Sequence, residues 1–290
     1  LDKYWIIGCG DIGCRVSTKL QKNHQAETLE INALVTSKTS AERCKILSLN
    51  TLQHNLDDKA SLYRNDFLDS KIFYFAPPPK SGDVDTRLAH FLSQVTDAPK
   101  KIVLISTTGV YGNSHGEWID ESTPINPQTG RAKRRASAEQ QIKVWAESYQ
   151  RDYIILRVPG IYALDRLPLA RLEKKLPIVQ ASEAAFTNRI HADDLADICI
   201  KAMQSSISGD VFNATDGTPS TMVEYFNQIA DYSGLERPEQ ISLDEAKTRL
   251  SEGMLSYALE SRRIGNAKLL EMLDIELKYP TLEATLNGER

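Results

Sequence analysis

The stretch "YWIIGCGDIGCRV", Tyr4 to Val16, decides how this chain is read. Four residues of strand character, Tyr4–Ile7, run into three glycines spaced G-x-G-x-x-G, and a helical pattern follows. A strand that stops in glycine and opens a helix is the context that gives this spacing meaning. Gly8 permits a tight turn, Gly10 offers no side chain to block a diphosphate, and Gly13 lets helix and strand pack closely. Free amides and the positive helix end then attract an anion. Gly8, Gly10, Asp11, Ile12 and Gly13 are therefore the candidate dinucleotide-binding residues. Asp11 places a negative charge beside the expected phosphate, so it should point outward and cap the helix.

Roughly twenty residues on, an acidic group at the end of the second strand would read a ribose 2′-hydroxyl. The sequence there is "ALVTSKTSAER", with no acid before Glu42. Thr36, Ser37 and Lys38, with Arg43 behind them, suit a 2′-phosphate better than a bare diol. The expected cofactor is NAD(P), with NADP favoured over NAD. A third piece, "IFYFAPPPKSG" at residues 72–82, ends a buried strand in a stiffened loop. Ala76 and Pro77 should skirt the adenosine side of the cofactor, since such loops overlie the ligand crevice of a parallel sheet.

Around these pieces, short apolar runs alternate with longer amphipathic stretches. Candidate strands are Tyr4–Ile7, Ile31–Val35, Thr51–Asn55, Lys71–Phe75, Ile102–Ser106 and Tyr153–Arg157. Candidate helices are Ile12–Gln21, Thr86–Thr96, Arg135–Gln150 and Asp193–Met203. The β-α-β-α order predicts an α/β fold, a doubly wound parallel sheet of Rossmann type. Past Arg157, prolines and short segments lead to the strand "DVFNA" and a charge-rich helical tail from Met222, read as a smaller C-terminal α+β lobe. The expected division is 1–157 with roughly 188–215 for nucleotide binding, and 158–187 with 216–290 for the substrate.

Composition narrows the function classes. The chain has 290 residues, 41% of them hydrophobic, and 35 basic against 39 acidic residues give a net charge of −4. That balance leaves no basic footprint for nucleic acid or an anionic membrane. No apolar run approaches the ~20 residues of a membrane span, and the first residues lack a signal peptide's form. Cys9, Cys14, Cys44 and Cys199 make no C-x-x-C and have no histidine at ligand spacing, so no metal site is expected. They read as reduced thiols of a cytoplasmic protein, although Cys9 and Cys14 flank the glycine loop and make redox sensing conceivable.

Further along, "KIVLISTTGVYGNSHGEWIDESTPINP" resembles the fifth strand and following loop of the extended short-chain dehydrogenase/reductase family, which includes the NAD-dependent epimerases and dehydratases. The points of likeness are Ser106, Thr107, Thr108, then Val110–Tyr111–Gly112, then Asp120–Glu121 and Pro124. "YIILRVPGIYALDR", "RIHADDLADICIKAM", "DVFNATDGTPSTMVEYFNQIADYSGLERP" and "SRRIGNAKLLEMLDIELKYPTLEATL" are similar to its later segments in order. The resemblance implies that Thr107 holds the substrate oxygen, where a hydroxyl on a rigid strand end can polarise a carbonyl. It also implies that Pro159 lies in the loop over the nicotinamide. The family's acid/base pair, a tyrosine with a lysine four residues later, falls near Arg131 and Arg135 when counted back from Glu139. No tyrosine occurs between Tyr111 and Tyr149.

This loss shapes the functional expectation. Thr107 and Tyr111 are the candidate catalytic residues, with Tyr162 behind them. The run Arg131, Lys133, Arg134, Arg135 opposes the helix dipole and is explained either by a nearby anion or by solvation. His191 is read as structural and Asp193–Asp194 as carboxylates stabilised by a helix start. Two functions fit: an NAD(P)-binding oxidoreductase or epimerase/dehydratase-like protein acting on a small polar substrate of sugar-nucleotide type, or a dinucleotide-binding sensor without turnover. The expected assembly is a monomer or homodimer.

Overall fold

The computed structural model describes residues 2–23, 29–58 and 61–288. Seven parallel strands form its central sheet: β1 (Asp2–Ile7), β2 (Leu29–Val35), β3 (Asn50–Gln53), β4 (Lys71–Tyr74), β5 (Lys101–Thr107), β6 (Asp152–Val158) and β7 (Asp210–Asn213). They lie in the order β7-β6-β5-β4-β1-β2-β3. Ile6 pairs with Ala33 of β2 on one side and Phe73 of β4 on the other. The chain therefore reverses direction across the sheet between β1 and β4, the switch point at which doubly wound sheets leave a crevice.

Both sheet faces are covered, and this explains the continuous apolar strands. Tyr4 and Ile6 face α1 (Asp11–Asn23), α2 (Lys38–Ile46) and α5 (Ala192–Gln204). Trp5 and Ile7 face α3 (Thr86–Val95) and α4 (Gly130–Tyr149) with Leu88, Phe91, Ile142 and Trp145. The expected strands and helices all occur, with ends shifted by a few residues. Two differences have local causes. α2 was not anticipated because only Ala41 and Cys44 of its nine residues are buried, which leaves little periodicity. α4 starts at Gly130 rather than Arg135, because Thr129 caps it by accepting a hydrogen bond from the Ala132 amide at 3.2 Å.

A second core, Leu172, Ile178, Val223, Phe226 and Ile229, forms under α6 (Met222–Ser233). A two-residue strand pair stitches this smaller lobe to the sheet's C-terminal edge. Arg263–Ile264 pairs with Trp118–Ile119 in the loop after β5, while Phe186–Thr187 pairs with Ser220–Thr221 within the lobe itself. Residues 160–162 pair with residues 189–191, so the chain passes between the two cores more than once. No helix among the described residues is long and apolar enough to cross a membrane.

Candidate functional site

Because every strand of the sheet is parallel, the segments that follow β2, β1, β4, β5 and β6 emerge on one edge. Thr36–Lys38, Gly8–Gly13, Ala76–Pro77, Thr107 and Pro159 are thereby brought into one row across the switch point.

At its centre the three glycines do different work. Gly8 has φ +83°, and a Cβ on it would stand 2.6 Å from the Ala76 backbone, so the turn and the neighbouring loop both require its bareness. A Cβ on Gly13 would lie 2.9 Å from Ile6 Cγ2 and 3.0 Å from Cys9 Sγ, which is helix packed on strand. A Cβ on Gly10 would meet only the Gly8 carbonyl oxygen, at 3.9 Å. No described residue claims that space. It lies at the start of α1, where amides lack partners in the preceding turn, and it fits the diphosphate of a dinucleotide.

Asp11 points outward as expected but does not cap a backbone amide. Its carboxylate accepts from Arg166 at 2.6 Å and from Arg15 at 3.3 Å. Arg15 also holds Asp165 at 2.5 Å and Asp193 at 2.9 Å. The charge beside the glycine loop is thus compensated, and residues 165–166 are tied to α1. Ile12 is buried against the sheet and contributes its backbone to the helix start.

At the β2 end, Ser37 caps α2 by accepting from the Ser40 amide at 3.1 Å and also donates to Ser40 Oγ at 2.9 Å. Arg43 donates to the same Ser40 oxygen at 3.4 Å. Thr36 and Lys38 are exposed beside them. Hydroxyls and cations therefore converge here; Ser40 escaped the sequence reading because its place depends on a helix that reading did not contain.

The proline loop is clamped from below. Arg87 donates to the carbonyls of Pro77 and Pro78, Arg134 to that of Gly82 at 2.6 Å, and Arg135 to that of Ala76 at 3.4 Å. Lys133 approaches Asp83 at 3.6 Å. Arg134 and Arg135 fit neither expected explanation of the basic run, since they bind the loop, while exposed Lys133 with Asp83 keeps to the solvated, mixed-charge one. Arg135 is buried, and burial pushes its pKa below the usual arginine value.

At the other end, Thr107 and Pro159 line a cavity of about 70 Å³ together with Thr129, Arg131, Tyr257 and Arg262. The last two come from the C-terminal segment, whose arrival at this point has no local sequence signal. Tyr111 is elsewhere. Its ring is 3% exposed, its hydroxyl donates to Asn213 Oδ1 at 2.8 Å, and the Arg157 guanidinium lies 4.7 Å from its centre. Burial raises its pKa against the pull of Arg157. Tyr162 is also buried, with its hydroxyl 3.5 Å from the Tyr279 carbonyl. The geometry therefore brings Thr107 to the cavity and leaves both tyrosines in the interior.

Behind the cavity wall a buried network went unread in the sequence. Glu139 takes two bonds from Arg157, at 3.1 and 2.8 Å, and one from Ser106 Oγ at 2.6 Å. Burial works against the charge of Arg157, and Glu139 more than offsets it. His191 is held in the structure: its Nδ1 accepts from the Asp193 amide at 3.2 Å, its ring lies tilted against Tyr279 at 3.8 Å, and burial lowers its pKa to about 4. Asp194 accepts from the Lys278 and Tyr279 amides, anchoring the C-terminal segment.

Residues 83–215 match the NAD dependent epimerase/dehydratase family. Human dTDP-D-glucose 4,6-dehydratase is 22% identical over 138 residues, which is 45% of this chain and 39% of that protein; the chain thus spans well under half of that relative's length. Among solved structures, a functionally unknown conserved protein from Silicibacter pomeroyi superposes with a TM-score of 0.84 at 24% identity, covering 99% of this chain and 98% of that one. A dTDP-glucose 4,6-dehydratase from Streptomyces venezuelae, solved with NAD and TYD bound, gives 0.80 at 17% identity over 98% and 94%. At these identities the structural likeness carries the fold.

Proposed function

We propose that this chain, whose residues 83–215 match the NAD dependent epimerase/dehydratase family, binds NAD(P) along the row of strand ends and acts as an oxidoreductase on a small polar substrate of sugar-nucleotide type. The observation that carries this reading is the open space in front of Gly10, which protein packing does not explain and a diphosphate does. NADP is favoured by the Ser37, Ser40 and Arg43 cluster at the β2 end, with Lys38 beside it and no carboxylate among these residues. A bound nicotinamide would supply hydride transfer. The chain's own contribution is Thr107, whose hydroxyl would hold the substrate oxygen, with the Glu139–Arg157 pair fixing the strand end behind it. No proton donor is assigned: Tyr111 is turned inward, and a guanidinium does not release its proton at neutral pH.

Binding without turnover is a second reading. It is favoured by the missing tyrosine and by Tyr257 and Arg262 of the C-terminal segment, which form part of the cavity wall.

Fluorescence titration with NADPH and NADH tests the binding. We expect NADPH to bind more tightly, and Gly10→Val to weaken it by at least about tenfold. A Cβ at this position meets no close contact, so a folded variant with unchanged affinity would remove the reading. Nicotinamide absorbance during incubation with sugar nucleotides then separates turnover from binding alone.

A further inference from the structure

Several polar groups around the Thr107 cavity are already committed. Thr187 donates to the Ser220 carbonyl, Asn188 bonds the Arg262 carbonyl and the Ile264 amide, and Glu260 pairs with Arg262 at 2.7 Å. Five are not bonded as donors among the described residues, the hydroxyls of Thr107, Thr108, Thr129 and Tyr257 and the guanidinium of Arg131. Thr107 Oγ1 and Thr129 Oγ1 each accept one backbone amide, at 3.2 Å, so each keeps its hydroxyl proton for an outside acceptor. Arg131 lies in the wall and makes no ion pair or side-chain hydrogen bond among the described residues. The unspent groups are donors, and with Glu260 and Arg262 cancelling, Arg131 leaves the cavity one positive charge.

We infer that this cavity takes a carboxylate, held by the Arg131 guanidinium with the Thr129 hydroxyl as a flanking donor while Thr107 keeps the neighbouring substrate oxygen, so that the substrate is an acidic sugar or its nucleotide. The cavity is partly open, so a carboxylate can sit against Arg131 while the rest of the substrate extends outward. Two coplanar oxygens match the parallel N–H pair of a guanidinium. The other cations of this run are engaged with the proline loop, which leaves Arg131 alone free for a ligand. The substrate assignment rests on the oxidoreductase reading; the cavity's preference for a carboxylate does not.

The test uses the full chain, with and without saturating NADP, titrated by ligand-detected NMR with glycolate, its uncharged isostere glycolamide, and inorganic phosphate. Glycolate should bind at least about tenfold more tightly than glycolamide. Arg131→Gln should weaken glycolate by about ten- to a hundredfold, with Arg131→Lys between. Glycolate no tighter than glycolamide, phosphate tighter than glycolate, or a folded Arg131→Gln that binds glycolate like the parent would each overturn the inference. Glycolate binding in a protein that binds neither coenzyme would support the cavity and overturn the oxidoreductase reading instead.

Discussion

The thiol of Cys14 shows how one residue's chemistry follows from its immediate neighbours. It is partly exposed on α1, next to the buried Cys9 of the glycine loop. A hydrogen bond from Cys9 lowers its pKa to about 7, against the effect of burial and with help from Arg43. The same bond, with burial, pushes Cys9 up. A large thiolate fraction near neutral pH makes a reactive cysteine, and buried thiols are inert. Iodoacetamide at pH 7.5 should therefore modify Cys14 well before Cys9, Cys44 or Cys199, as peptide mass spectrometry would show, and NADPH should slow the reaction. Equal labelling of Cys44 would contradict the assignment. The roles of Gly8 and Gly13 were legible for the same reason: each is decided by atoms a few residues away or by the adjacent strand. Tyr111 was not, since its direction is set by Asn213 and Arg157, which lie far along the chain.

α4 is the element on which the site depends most. Its N-terminal turns hold the proline loop through Arg134 and Arg135, and one turn later Glu139 holds Arg157 and Ser106. The side chains of the pair are only 6% and 3% exposed. A buried ion pair adds little net stability over an apolar substitute, but removing one partner strands the other. Arg157→Met should cost about 3–5 kcal/mol in denaturant unfolding, and Arg157→Met with Glu139→Gln should recover part of that loss. An unchanged midpoint for the single variant would show that Glu139 finds water or another donor. The existence of α4 was plain from its length, and its start was not: the five residues missed are mostly charged, and they turn helical because Thr129 caps them and the loop at residues 76–83 accepts their bonds. β3 and α2, short and half-exposed, carry weak periodicity for the same physical reason that they contribute little core.

Across the whole molecule, the order of the sheet does what no local motif can. It lays strand ends from residue 36 to residue 159 along a single edge, and the alternation of apolar strands and helices was enough to read a doubly wound parallel sheet, though not the order of its strands. The closing of the site by the C-terminal segment was not readable, because it depends on two-residue strand pairs whose partners are distant. One such junction carries a titratable group. Asp216 is 8% exposed, its backbone amide donates to the Arg189 carbonyl at 2.8 Å, and its carboxylate accepts from the Thr218 amide at 2.9 Å. Burial pushes its pKa up to about 7; the Thr218 amide and Arg189 oppose this, and Asp194 adds to it. In the unfolded chain a carboxyl titrates near 3.9, so the folded state holds this proton more tightly. Its contribution is then fully present below about pH 4, falls as pH rises, and is lost above about pH 7, a change of up to about 4 kcal/mol. Asp216→Asn keeps an oxygen for the Thr218 amide and cannot ionise. The stability gained by this variant over the parent, measured by denaturant unfolding, should therefore grow steadily between pH 4.5 and pH 7.5. A difference that stays flat across that range would mean that Asp216 is ionised in the folded protein throughout, with Arg189 as its effective partner.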